Sequence, residues 1–113
     1  MNSYETNLNK NKANFVPLTP LSFLTRVKDI YPNYEAIIYE GRKYTWKDVY
    51  KRCVKFASAL SKIGIKKGDT VSFLAFNTPE IFEGHYSVPM TGAVLNTINI
   101  RLDAKTIAYI LNH

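Results

Sequence analysis

The sequence predicts an α/β fold: a parallel βαβ unit preceded by a helix and a β-hairpin. Three observations carry this. From Thr70 onward the chain reads apolar strand, helix, strand, over a length that suits a parallel, right-handed crossover. Ahead of it, residues 45–63 place apolar side chains at helical spacing along one stripe. Before that, a β-prone run at 36–39 can return at 42–44 across Glu40-Gly41. A last helix opens at Asp103 and no strand follows it before His113, so the α/β series reads as incomplete, part of an α/β domain.

Each element has a local reason. Residues 1–13 are polar and rich in Asn and Lys, and are expected to form a flexible arm ahead of a domain portion at 14–113, with Phe15, Val16 and Leu18 pinning its end to the core. Thr19-Pro20 is a helix start, with Thr as N-cap and Pro at the first helical position. Phe23, Leu24, Val27, Ile30 and Tyr31 then recur at helical spacing until Pro32 stops the helix. Thr45 opens the longest helix as a capping box with Asp48. Its stripe is Trp46, Val49, Tyr50, Cys53, Phe56, Ala57, Leu60 and Ile63, and Gly64 ends it. After a turn at Lys67-Gly68-Asp69, residues 71–76 are nearly all apolar, which predicts a strand buried on both faces. Thr78-Pro79 starts the next helix, Pro89 ends or kinks it, and Gly92 leads into a strand at 93–95. Asp103 caps the final helix, which carries Ile107, Ile110 and Leu111.

At 113 residues the chain fits one domain with a modest core. Apolar content of 46% with 21% charged residues describes a globular chain. The net charge is +6, but the bases are scattered: Lys43, Lys47, Lys51, Arg52, Lys55, Lys62, Lys66 and Lys67 read as a solvated face. Nucleic-acid binders cluster such charge, so a nucleic-acid partner is not expected. A single cysteine, Cys53, forms no internal disulfide and suits a reducing compartment; with no apolar run of membrane length, the expected location is cytoplasmic.

The chain carries little chemistry of its own. Two histidines and one cysteine have no zinc-site spacing, and no metal ligands or catalytic residues are assigned. There is no G-x-x-x-x-G-K-[ST] or G-x-G-x-x-G phosphate loop and no G-x-S-x-G elbow. His85, among Ile81, Phe82, Tyr86 and Met90, reads first as a packed, hydrogen-bonded histidine and second as a ligand. Cys53 lies on the apolar stripe and reads as core. Gly84, inside a helix, reads first as close approach of a neighbouring element and second as a bound ligand nearby. Arg101, just past the last strand in N-I-R-L, stands where α/β folds bind ligands, and its guanidinium suits phosphate; the alternative is a surface arginine.

Four segments in order resemble one family. A-N-F-V-P-L-T-P-L-S-F-L (13–24) resembles the opening of acyl-activating enzymes, and K-Y-T-W-K-D-V (43–49) a first core motif of adenylate-forming enzymes. G-I-K-K-G-D-T-V (64–71) resembles their turn into the sheet, and V-P-M-T-G-A-V-L-N-T-I-N-I-R-L (88–102) a second core motif. The chain is therefore similar to the N-terminal part of acyl-CoA synthetases of the AMP-binding superfamily, nearest the medium-chain acyl-CoA and methylmercaptopropionate-CoA ligases and the plant peroxisomal acyl-activating and benzoate-CoA ligases. The resemblance implies a parent that uses ATP, CoA and Mg²⁺. A carboxylate attacks the α-phosphate of ATP to give an acyl-adenylate and pyrophosphate, and the CoA thiol then displaces AMP. It also implies that the phosphate loop and the catalytic lysine lie beyond residue 113, so that this chain alone is expected to be inactive and to need the C-terminal portion as its partner. Arg101 resembles an arginine that contacts the CoA nucleotide, although Ile100 stands where the family site reads Pro. Two other readings are a non-catalytic module that pairs with a synthetase through its open sheet, and a small basic nucleic-acid binder.

Overall fold

The structure is a computed structural model describing residues 6, 7 and 9–113. Its elements run α1 (Pro20–Ile30), β1 (Glu35–Tyr39), β2 (Arg42–Thr45), α2 (Trp46–Lys62), β3 (Thr70–Leu74), α3 (Pro79–Met90), β4 (Val94–Ile98) and α4 (Ala104–Asn112). The strands form an antiparallel hairpin, β1–β2, and a parallel pair, β3–β4, in which Thr70 faces Val94 and Leu74 faces Ile98. This is the expected βαβ unit with a helix and hairpin before it.

Three of the four start signals act as capping chemistry predicts, while the Thr78 side chain makes no cap hydrogen bond. The Thr19 hydroxyl accepts from Ser22 N–H, and the Thr45 hydroxyl accepts from Asp48 N–H at 3.2 Å while Asp48 Oδ2 accepts from Thr45 N–H at 3.0 Å. The Thr45 hydroxyl and amide hold the Asp48 carboxyl below the usual carboxylate range. Asp103 Oδ1 accepts from Lys105 and Thr106 N–H at 3.0 and 3.1 Å. The hairpin turns through Glu40 and Gly41, both at positive φ (47° and 78°), which is the two-residue geometry that matches strand twist. Pro89 sits in the last turn of α3, and Gly92 N–H donates to Pro89 O at 2.9 Å as the chain leaves.

Two small clusters make the core. Leu24, Val49 and Cys53 pack with Tyr44, Trp46, Phe82 and Tyr86; Leu60, Val88 and Ala93 pack with Phe56, Val71, Phe73 and Leu95. The two clusters draw on opposite ends of α2 and both use α3, so these helices form the spine of the unit. Much apolar surface stays uncovered: Phe23, Ile38, Leu74, Phe76 and Val94 are among the exposed large side chains.

Several burial expectations give way for that reason. The 71–76 strand is covered on one face only: Val71 and Phe73 turn toward α2 and α3, while Leu74 and Phe76 are 55% and 71% exposed. The opposite face is covered in part: Ile98, which faces Leu74 in the register, is buried. Phe15, Val16 and Leu18 are exposed and pin nothing, and Ile63 and Leu111 drop out of their stripes. In α1 only Leu24 is buried. Of the arm expected at 1–13, residues 1–5 and 8 lie outside the described residues, and 9–13 are exposed.

Candidate functional site

The carboxyl ends of β3 and β4 frame a cleft of about 580 Å³. β3 delivers Ala75, Phe76 and Asn77 to one side, and β4 delivers the segment 97–101, ending in Arg101, to the other. Parallel strands place these ends together because both run the same way, which is why ligands gather there in α/β folds. Arg101 is exposed, and among the described residues it enters no ion pair. Its five donors remain open to an anionic group. The structure thus brings the one sequence-predicted site residue to the predicted edge of the sheet.

A second cleft, of about 830 Å³, adjoins the first and shares Asn77, Ile81 and Thr97 with it. Its walls are β1 and the first two turns of α3, including Phe82, His85 and Tyr86. The His85 expectation is half corrected here. The ring is hydrogen-bonded, with Nδ1 2.8 Å from Ile81 O, but the side chain is exposed on the cleft and not packed. A carbonyl partner assigns the proton to Nδ1 in the neutral ring and leaves Nε2 as an acceptor.

Cys53 and Gly84 stay structural. Cys53 is fully buried, its Sγ 3.6 Å from Glu83 O, and burial pushes the thiol up to about 12. Such a group is protonated and unreactive at neutral pH. A Cβ on Gly84 would stand 2.9 Å from Phe73 Cζ, so α3 lies on β3 at a distance only glycine allows.

One feature was absent from the sequence reading. Arg52, grouped there with the solvated bases, reaches across from α2 to α3. Its Nε pairs with Glu83, a carboxylate only 6% exposed, and its terminal nitrogen lies 3.6 Å from Glu80. The guanidinium also sits 4.9 Å from the centre of the Tyr44 ring on β2. The other seven bases of that group are exposed, as expected. The missed signal was Glu83 itself, a charge inside the apolar run of α3, which needs a partner if the run is buried.

Among the described residues no three His, Cys, Asp or Glu side chains converge on a metal site, and no helix is long and apolar enough to cross a membrane.

Comparison with known proteins follows this geometry. The AMP-binding enzyme family matches residues 24–113. The chain is 56% identical over 101 residues to a peroxisomal trans-cinnamate:CoA ligase of Petunia hybrida, covering 89% of this chain and 18% of that protein. It is 55% identical over 102 residues to a peroxisomal butyrate–CoA ligase of Arabidopsis thaliana, covering 90% and 18%. Among solved structures, one designated a long-chain-fatty-acid CoA ligase, from Rhodopseudomonas palustris, superposes with a TM-score of 0.79 at 32% identity, over 83% of this chain and 24% of that one. The N-terminal subdomain of NpsA from Klebsiella oxytoca superposes with a TM-score of 0.78 at 22% identity, over 82% and 24%, which is a likeness of fold. The chain therefore spans about a fifth of the length of the relatives it matches.

Proposed function

Because the chain belongs to the AMP-binding enzyme family, we propose that it forms the opening scaffold of an acyl-CoA synthetase, which joins a carboxylic acid to CoA with cleavage of ATP to AMP and pyrophosphate. The observation that carries this is identity above one half to CoA ligases across nine-tenths of the chain. In this reading α2 and α3 are framework and Arg101 is the chain's contact to substrate. Its guanidinium, held at the carboxyl ends of two parallel strands, meets an anionic group of the CoA nucleotide with a fork of donors that fits phosphate. The 113 residues hold no phosphate loop, so ATP is handled by residues outside them. Among the described residues no three His, Cys, Asp or Glu side chains converge, so the reading places no Mg²⁺ step on them.

The same reading replaces the expected cytoplasmic location. The Petunia and Arabidopsis relatives reported above are both named peroxisomal. A lone buried cysteine distinguishes an oxidising compartment from a reducing one, not the peroxisome from the cytosol.

The test is a chimera in which this chain replaces the matching opening segment of the Arabidopsis butyrate–CoA ligase. Carboxylate-dependent ATP–pyrophosphate exchange and butyryl-CoA formation are expected to survive, while the isolated chain shows neither. Robust exchange by the isolated chain, or a folded chimera that makes no acyl-CoA, overturns the reading.

A second reading is favoured by the uncovered face of the β3–β4 pair, where Leu74, Phe76 and Val94 are exposed. Here the chain acts as a separate module that pairs non-covalently with the remaining part of a synthetase. Co-expression of the two parts decides it: a soluble complex supports the module, and failure to associate removes it.

A further inference from the structure

The connection between β4 and α4 is held by its own side chains. Leu102 N–H donates to Asn99 O at 3.2 Å, which closes a β-turn over residues 99–102. Inside it, Arg101 N–H donates to Asn99 Oδ1 at 2.9 Å. One residue thus supplies both acceptors that orient the turn. Asp103 then fixes the far side by accepting from Lys105 and Thr106 N–H. Arg101 occupies the third position of the turn, between these two anchors.

The turn has a chemical alternative. Neither Ile100 nor Arg101 is at positive φ, so the backbone fits type I, which favours Asn at the first position and Pro at the second. This chain has Asn99 at the first position but Ile100 at the second. The φ of Ile100 is therefore not preset by a ring, and the Asn99 carboxamide is what holds the loop. Asn99 is itself exposed and packs against no core cluster, so its hydrogen bonds serve the turn and not the fold.

We infer that Asn99 is a positioning residue for Arg101, holding its guanidinium at the 580 Å³ cleft for an anionic group of CoA. This rests on the acyl-CoA synthetase reading above. Loss of the carboxamide frees the turn to sample conformations in which Arg101 leaves the cleft, and apparent affinity falls by the fraction of time it is away. The loss appears in binding of CoA and not in the chemistry of adenylation.

The experiment uses the full-length chimera described above. Asn99→Ala is expected to raise KM for CoA roughly fivefold, with kcat and KM for ATP unchanged, the scale of one neutral hydrogen bond. Arg101→Ala is expected to raise it by roughly tenfold or more, as for a charged contact, and adding Asn99→Ala to it produces no further rise. Ile100→Pro, which presets the turn, restores KM in the Asn99→Ala background, and Asn99→Ser, which keeps an acceptor, stays within about twofold of the parent. If Arg101→Ala raises KM for CoA and Asn99→Ala does not, the positioning inference is overturned and the functional reading stands. If neither substitution moves it while the chimera stays active, Arg101 is no CoA contact and the inference falls with it. If Asn99→Ala lowers kcat and thermal stability together without rescue by Ile100→Pro, the residue is structural and the inference is overturned.

Discussion

The α2–α3 junction and the β4–α4 turn both carry an arginine, and they use it in opposite ways. At the junction, Arg52 neutralises Glu83, which is almost fully buried, while the Glu83 carbonyl accepts from Cys53 and Ser87. Among the described residues every buried side-chain nitrogen and oxygen there and elsewhere has a partner. At the turn, Arg101 is solvated and its guanidinium pairs with no carboxylate of the described residues, while only its backbone N–H is held. A buried, satisfied charge resists change because its removal strands a partner in low dielectric. An exposed, unsatisfied charge costs the fold nothing and remains available to a ligand. The Arg52 charge therefore serves the fold, and the candidate substrate contact is a base with no internal role.

Four measurements break or sharpen that contrast. The largest effect is expected for Arg52→Ala, which leaves the Glu83 carboxylate buried and unpaired. It should destabilise by roughly 3 kcal/mol, the low end for a broken buried pair because Arg52 is itself part exposed, read by denaturant unfolding. The double variant Arg52→Met with Glu83→Leu should recover most of the loss, and a double variant as unstable as the single one would count against the pairing argument.

Next is Gly84→Ala, whose new methyl meets the Phe73 ring. A loss of about 2 kcal/mol is expected, as for other overpacked cores, and Phe73→Leu should relieve it. A neutral Gly84→Ala would show that α3 can lift from β3 freely.

Cys53 supplies the pH dependence. Its folded value is about 12, against the ordinary 9.0, because burial disfavours the thiolate. Below pH 9 both states hold the proton and the stabilisation is fully present; between pH 9 and 12 the unfolded chain ionises first, and stability falls. Cys53→Ala should flatten that slope in an unfolding series across the window. The native thiol should also resist alkylation at pH 8 and react only on unfolding; rapid native labelling would contradict its burial.

The smallest effect on stability is expected for Arg101→Ala, within about 0.5 kcal/mol of the parent, since no internal contact depends on its side chain. A large destabilisation there would make Arg101 a structural residue and erase the contrast.

The local grammar was legible throughout. Thr19-Pro20, Thr45 with Asp48, Thr78-Pro79 and Asp103 start helices at the places read from the chain, and Gly64, Gly92 and Pro89 end elements where backbone chemistry requires it. The position of Arg101 at a strand end was also legible, because strand direction follows from the βαβ order. The Arg52–Glu83 pair was not. Position 52 carries one more base on a basic helix, and its partner lies 31 residues away on another element. The hold of Asn99 on Arg101 is local, yet asparagine next to a strand end has many uses and only the geometry selects one.

By itself, then, the amino-acid order determined the kinds of element, where the helices start and the parallel sense of β3–β4, because caps, turns and hydrophobic period act over a few residues; the strand ends moved, from 71–76 to Thr70–Leu74 and from 93–95 to Val94–Ile98. Tertiary structure decided which face of β3 is covered, which base meets Glu83, and that His85 opens onto a cleft and does not pack. These outcomes depend on how α2 and α3 cross and on how far Gly84 lets α3 approach Phe73, and such distances between elements are set by packing that no short stretch of sequence encodes.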